Sequence, residues 1–336
     1  MVRMVDVARA AGVSTMTVSN VINGRPGVGA DTRMRVLAAI DELGYRVNAT
    51  ARSLRTGRTG AIGFVLPELD SPYYAHLSNR LSAAAQSRGR HLLVERTGGT
   101  RERELEAISF GHLRRYDGVI VNLVRLDSVD LDRLRFETPV VFLGESPVPG
   151  RFDHVMMDNV GGSREATSHL LSTGSRRVVI LGGRHEDTDD MAALRTRGFR
   201  QAHGDVGLDV DEGLVVELRS YSWDEGHHAV IDLHGRGVPF DAVFCVTDAL
   251  AMGALRALAD LGLHVPRDVQ VIGFDNGEED YFLIPRLSSV EPGNDAIAEL
   301  VLDLLERRIR TAGTGDVRSQ ATTTVNSRLV LRESTR

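Results

Sequence analysis

No lysine occurs anywhere in the 336 residues; all 40 basic side chains are arginine. That excludes a Gly-x-x-x-x-Gly-Lys phosphate loop, whose lysine must reach the terminal phosphates. The bias itself reads as genomic base composition rather than mechanism. The single cysteine, Cys245, lies in the apolar run 242–246. It cannot form an intrachain disulfide, and a buried, inert thiol is expected. Aromatics are few, at 5%. No apolar run approaches the roughly 18 residues of a membrane span. Asp6 and Arg9 interrupt the N-terminus before any apolar leader can form, which predicts a cytoplasmic protein. Catalytic signatures are missing too. There is no Gly-x-Ser-x-Gly elbow. His185-Glu186 lacks a second histidine at zinc-protease spacing, and the neighbours His227 and His228 point to different sides of any helix. Gly182-Gly183 follows an expected strand without the rest of a dinucleotide fingerprint. The expectation is a protein that is not an enzyme and needs no cofactor or metal.

What is present begins with charge. The formal net charge is −6, spread unevenly. Residues 1–58 carry nine arginines against Asp6, Asp31, Asp41 and Glu42, a segment charge of +5, which leaves −11 on the rest. A basic head on an acidic body suggests nucleic acid at one end only, although a solvated basic surface has the same composition. The length suffices for two or three domains.

Three short helical patterns open the chain. They cover about 4–10, 15–22 and 30–43, with Val7 and Ala8, then Val18 and Val21, then Val36, Ile40 and Leu43 facing a core. Ser14 suits the N-cap of the second, Gly29 that of the third, and Gly44 closes the third. Residues 47–58 read as a polar, basic linker able to form about two helical turns, with an exposed Leu54. From Gly60 the pattern changes. Strands are expected at 61–66, 91–95, 118–122, 140–143, 155–157, 178–181, 242–246 and 269–274. Helices are expected between most of them, including 74–88, 162–172, 190–203, 249–261 and 295–311. Apolar strands alternating with amphipathic helices predict a doubly wound parallel sheet, and their number predicts two α/β lobes with a cleft between them.

Residues 4–23 have the pattern of a helix–turn–helix, whose second helix offers small polar side chains to a DNA groove. Thr15, Met16 and Asn20 fall opposite Val18 and Val21. Asparagine can pair with adenine, and threonine or methionine can touch a thymine methyl. Ser14, Thr17, Ser19 and Asn23 can donate to phosphates. By helical pattern alone, a small bundle with a polar surface remains an equal reading.

The wording of the segment goes further. Val5-Asp6-Val7-Ala8, followed by the run from Ala11 to Gly24, closely resembles the headpiece of the lac-repressor family of bacterial transcription regulators. Thr32-Arg33, Leu43-Gly44-Tyr45 and Asn48-Ala49-x-Ala51-Arg52-Ser53-Leu54 continue the likeness, which runs on to Leu329-Val330-Leu331-Arg332-Glu333-Ser334. The resemblance implies that Thr15, Met16 and Asn20 read bases, helped by Ser14, Thr17, Ser19, Asn23, Thr32 and Asn48. It implies that Leu54 wedges into the minor groove with Ala51 beside it, an arrangement that gives an exposed leucine on a basic linker a purpose. Gly29 stands where the family often has serine, and glycine caps nearly as well.

In two-lobed α/β proteins, ligands sit at the carboxyl ends of strands. Here those ends carry Tyr73, Glu145, Asp158, Thr247 and Asp275, with Arg195 on a helix three residues before Gly198-Phe199. The resemblance covers them and implies that Arg195 and Asp275 hold a small polar effector, such as a sugar. It implies Tyr73 on the opposite lobe, Tyr221 stacked on the ring, and Asp158 and Thr247 adding hydrogen bonds, with Glu145 a further contact. Carboxylate and guanidinium each bridge neighbouring hydroxyls, and an aromatic face covers C–H groups. The plainer alternative is that these groups pair with one another or cap helices. Threonine at 247, where several relatives carry asparagine, leaves the ligand's identity open.

The resulting expectation is a headpiece over 1–46, a hinge over 47–58 and an effector core over 59–336. The lobes are expected at about 59–159 with 288–320, and about 160–287 with 321–332. As a regulator, the chain would bind double-stranded operator DNA as a homodimer, without a membrane, under allosteric control. A transport receptor for sugars, an enzyme with an added DNA domain and a constitutive repressor are the competing readings.

Overall fold

The computed structural model describes residues 2–22, 24–45, 58–186, 188–312 and 322–336, in two compact units divided after Thr59. In the first unit α1 (Met4–Ala11), α2 (Thr15–Ile22) and α3 (Ala30–Glu42) enclose Val7, Ala8, Ala11, Val18, Val21, Val36 and Ala39. The helix ends follow from their residues. Gly12 adopts φ 63°, which a glycine reaches without strain, and ends α1. Ser14 Oγ accepts from Thr17 N at 3.1 Å and caps α2. Gly29 precedes α3 in extended conformation; beyond its last turn Gly44 has φ 57°, and Tyr45 N donates to Ile40 O at 2.9 Å. Ala39 takes the central place on α3, while Ile40 and Leu43 are half-buried against this core.

The second unit begins with β1 (Ala61–Leu66), α4 (Pro72–Ser87), β2 (His91–Arg96), α5 (Arg101–Ala107), α6 (Phe110–Leu113), β3 (Gly118–Val121), α7 (Ser128–Arg133), β4 (Val140–Leu143) and β5 (Asp153–Met157). It continues with α8 (Asn159–Ser172), β6 (Val178–Leu181), α9 (Met191–Asp205), β7 (Val215–Val216), α10 (Trp223–Gly235), β8 (Ala242–Cys245), α11 (Asp248–Asp260), β9 (Gln270–Phe274) and β10 (Ser288–Glu291). Last come α12 (Asn294–Thr311), β11 (Thr322–Val325) and β12 (Arg328–Val330).

Two sheets result, ordered β11-β5-β4-β3-β1-β2 and β12-β10-β9-β8-β6-β7. All pairings are parallel except β10 with β12. Helices cover the sheet faces, so β3, β4, β6, β8 and β9 are buried along their whole length and their sequences are near-continuous apolar runs. Strand order reverses between β1 and β3 in one lobe and between β6 and β8 in the other, the switch points at which doubly wound sheets open a crevice.

The chain passes between lobes after β5, after β10 and between β11 and β12. This corrects the expected lobe boundaries at two places. Residues 288–291 pair with β9, so β10 belongs to the second lobe, and the crossing comes later, at the start of α12. Residues 322–325 pair with β5, so β11 belongs to the first. Ser-Ser-Val-Glu and Thr-Thr-Thr-Val are too polar to announce themselves as core strands; register with a neighbour places them. In the first lobe, buried Asp153 accepts from Arg308 Nε at 2.7 Å and from Arg307 Nη2 at 3.3 Å, tying α12 to β5.

Close helix packing fixes what surrounds the cleft. A Cβ on Gly198 of α9 would stand 2.3 Å from Val160 O on α8, and one on Gly253 of α11 would stand 2.0 Å from Trp223 O on α10. Backbone therefore approaches backbone at both, and only glycine fits. Cys245 is wholly buried, and burial pushes its thiol well above the usual range. Among the described residues no helix is long and apolar enough to cross a membrane.

Candidate DNA-reading helix and effector cleft

In the first unit, α2 turns Val18 and Val21 inward and leaves Thr15 and Met16 outward; the methionine is 67% exposed. Thr17, Ser19 and Asn20 are half-buried on its flanks, and Thr32 is half-buried on α3. Ser14 and Thr17 also meet through their hydroxyls at 3.0 Å. The structure thus brings Ser14, Thr15, Met16, Thr17, Ser19 and Asn20 onto one helix and its cap. Asn23, Asn48, Ala51 and Leu54 lie outside the described residues.

In the second unit, the strand ends around the two switch points present the expected side chains. Gly198 holds α9 against α8 and thereby lays Arg195 over the start of α8. Arg195 is 2% exposed. Its Nε donates to Asn159 Oδ1 at 2.8 Å, Nη2 to Met157 Sδ at 3.2 Å and Nη1 to Val246 O. The guanidinium lies 3.4 Å above the centre of the Phe274 ring and 3.8 Å from Asp275. Burial pulls its pKa down, and Asp275 opposes that pull. Asp275 is displaced the other way. Burial raises its carboxyl well above the usual range, against the attraction of Arg195.

The backbone at Asp275 is unusual. Asp275 and Asn276 have φ values of 118° and 50°, both in the region that favours glycine. Such strain persists where neighbours over-determine the turn. Here Asp275 N donates to Val290 O, Asn276 N to Ser289 Oγ and Asn276 Nδ2 to Glu291 Oε2. Arg332 Nη2 adds a bond to Asn276 Oδ1 at 2.6 Å, and Gly277 N donates to Asp248 Oδ2 at 3.0 Å.

From the first lobe, Tyr73 and Tyr74 open α4 with their rings edge to face, 5.1 Å apart. Tyr74 OH donates to Asn122 Oδ1 at 3.2 Å. Tyr73 OH is buried without a hydrogen-bond partner among the described residues. Such a group costs stability unless a ligand or water supplies the partner. Glu145 Oε1 accepts from Asn159 Nδ2 at 2.9 Å, so one asparagine links Glu145 of the first lobe to Arg195 of the second. His76 of α4 reaches Glu279 at 3.0 Å, a second tie between lobes.

The remaining expected residues are held by helix ends. Asp158 Oδ1 accepts from Gly161 N at 2.8 Å and caps α8. Thr247 Oγ1 accepts from Leu250 N at 3.3 Å and caps α11. Tyr221 lies beside Gly182 at the end of β6; burial raises its pKa and the Arg184 charge opposes that. Asn122, Asn159, Asp248 and Asn276 also build the site. Asn159 and Asp248 stand in the strand-end pairs Asp158-Asn159 and Thr247-Asp248, without a contact expected of them; Asn122 and Asn276 have only adjacency as a signal, each lying one residue from a strand end or an expected contact. Among the described residues, no group of three or more histidine, cysteine or acidic side chains is placed to hold a metal ion.

Comparison with known proteins agrees with both units. Residues 3–48 match the family described as bacterial regulatory proteins, lacI family. Residues 167–335 match the periplasmic binding protein-like domain. The HTH-type transcriptional regulator GalS of Salmonella typhimurium is 33% identical, with 94% of this chain and 92% of that protein covered. A transcriptional regulator of LacI family from Sanguibacter keddieii is 40% identical with a TM-score of 0.75, over 82% of this chain and 98% of that one. The transcriptional regulator CelR in complex with cellobiose is 30% identical with a TM-score of 0.71, over 99% and 100%. The chain therefore belongs to the lacI family of bacterial regulatory proteins.

Proposed function

We propose that this chain is a sequence-specific, DNA-binding repressor whose hold on its operator is set by a small polar effector in the cleft between the lobes. The observation that carries the effector is the convergence of Arg195 and Asp275 opposite Tyr73, whose buried hydroxyl has no hydrogen-bond partner among the described residues. Donors and acceptors aimed into one space suit a polyhydroxyl ligand, and the similar CelR was solved with cellobiose. Glu145 and Tyr221 flank that space in this reading. Asp158 and Thr247 contribute the hydrogen-bonding capacity that capping leaves unused.

The DNA-binding part rests on α2. Thr15, Met16 and Asn20 face the bases, and Ser14, Thr17, Ser19 and Thr32 hold phosphates, with Asn23, Asn48, Ala51 and the wedge Leu54 completing the interface. The working form is a homodimer, which a roughly palindromic operator requires. Its support is exposed apolar surface on the core: Leu93 and Val94 on the edge strand β2, and Phe282 and Ile284, 79% and 97% exposed, after β9. A repressor acting on the chromosome works in the cytoplasm.

A thermal-shift screen of neutral sugars, sugar phosphates and nucleobases on the full chain tests the cleft. A bound effector at about 100 times its dissociation constant raises stability by about 2.7 kcal/mol. No response to any class would remove the effector from this reading. For DNA, operator selected from a random pool should bind Asn20→Ala about 1–3 kcal/mol more weakly than wild type, with specificity lost at one base position. An even loss across all sequences would show instead that Asn20 contacts only phosphate.

A further inference from the structure

The turn that carries Asp275 is fastened from beneath by a pair of acids. Asp248, at the start of α11, is buried and accepts from Ser289 Oγ at 2.6 Å as well as from Gly277 N at 3.0 Å. Asp280 is joined to it through Gly277, whose O accepts from Asp280 N at 3.3 Å, and each of the two carboxyls shifts the protonation of the other. Asp280 is 0% exposed, and no N–H or O–H group of the described residues donates to either of its oxygens. The nearest cation, Arg332 of the C-terminal segment, stays 3.8 Å away and spends two of its donors on Leu287 O and Asn276 Oδ1. Two carboxylates cannot both ionise in such a place; one must keep its proton and donate it to the other.

We propose that Asp248 and Asp280 form a proton-sharing clamp that fastens the 277–284 segment to the second lobe, and that loss of the shared proton loosens this rim of the cleft. Its other ties are few: Leu287 N donates to Asp280 O at 3.0 Å, Arg286 stacks on the Tyr281 ring at 4.3 Å, and Glu279 reaches across to His76 on the first lobe, while Phe282 and Ile284 face the surface assigned above to the dimer. Releasing the segment therefore acts on the tie between lobes and on the strained turn at Asp275 together. By linkage, protons favour whichever ligand needs the fastened rim. That consequence rests on the effector reading; the clamp itself does not.

The charges facing the pair are few. Asp275 at the end of β9 opposes ionisation of Asp280, Arg332 favours it, and Arg195 on α9 favours ionisation of Asp248. The Cys245 thiol on β8 is kept neutral by burial and by Asp248. Burial lifts Asp248 to about 6, while burial and then Asp248 lift Asp280 to about 10. Both shifts are upward, so the folded state holds protons that the unfolded chain has already released. The contribution is most favourable below the ordinary carboxylate pKa and declines as pH rises toward the raised values.

Asp280→Asn keeps the shape and an N–H donor but cannot ionise. Melting temperatures of wild type and Asp280→Asn, taken between pH 6 and 9, should diverge. Wild type falls by about 5 °C more than the variant across that range. In wild type, deuterium exchange of residues 276–287, corrected for base catalysis, should accelerate about tenfold or more over the same range while β9 and β10 hold. Equal pH slopes in the two proteins would overturn the clamp. If the variant fails to fold, exchange in wild type decides: a segment that opens no faster than its flanking strands also overturns it. Neither readout needs an effector, so an empty ligand screen leaves this test intact.

Discussion

Arg195→Ala is expected to abolish the thermal response to any cleft ligand and to cost about 3–5 kcal/mol of stability in the empty protein. Two losses add here. The ligand loses its cation, and the protein loses the donor and charge that this guanidinium supplies to several buried groups. Asn159 Oδ1 and Val246 O lose a donor, the Phe274 ring loses the plate lying 3.4 Å above it, and Asp275 loses the charge that offsets its burial. Arg195→Lys should rescue little. A single ammonium cannot address Asn159, Met157 and Val246 from one position, nor stack flat on phenylalanine. Denaturant melts measure the stability term, and melts with the effector found by the screen measure the response. A variant that melts like wild type and still responds would remove Arg195 from the site.

The second large effect is expected at Glu104→Ala, far from any sequence motif. Glu104 is wholly buried on α5, and its carboxylate accepts from Val124 N, Arg125 N and Leu126 N at 3.0, 3.1 and 3.0 Å. Those three amides follow β3 directly, beside Asn122, which receives the Tyr74 hydroxyl. Leu126 N is buried while Val124 N and Arg125 N are only partly so, and water reaches the outer two; with about 1–3 kcal/mol for a buried amide left unsatisfied, a net loss of about 2–3 kcal/mol is expected. Glu104→Gln should recover only some of it, because its amide nitrogen faces donors. Urea midpoints check both variants. A loss under about 1 kcal/mol for the alanine would mean that the loop satisfies its amides without the carboxylate.

These two sites differ in how far the sequence announces them. Arg195 stands in a motif with Gly198 and Phe199, and the expected partner Asp275 lies 3.8 Å from it. Glu104 stands in the run Arg-Glu-Arg-Glu, indistinguishable from a solvated helix face until the fold wraps the end of β3 around it. The same divide separates the strands. Val178–Leu181 and Ala242–Cys245 are apolar throughout and legible as core. The two-residue β7 and the polar β10 and β11 are not, because their membership depends on a neighbour's hydrogen bonds rather than on their own composition. Helix α10 is hard to read for a related reason: its buried stripe of Gly226, Val230 and Leu233 is interrupted by aspartate, glutamate and histidine.

Some features were therefore determined by the sequence alone. The spacing of Val18 and Val21, the cap at Ser14 and the glycines at 12 and 44 specify a three-helix headpiece through local geometry. Apolar runs alternating with amphipathic helices specify parallel α/β lobes, because strands buried on both faces tolerate little else. The tertiary structure decided what each polar side chain at a strand end does. Asp158, Thr247, Asp248 and Asp275 look alike in sequence, yet two cap helices, one sits beneath the strained turn and one pairs with arginine in the cleft. A hydrogen bond is formed or lost within about half an ångström. The donors that settle the matter come from segments far apart in the chain, so only the assembled fold assigns the roles.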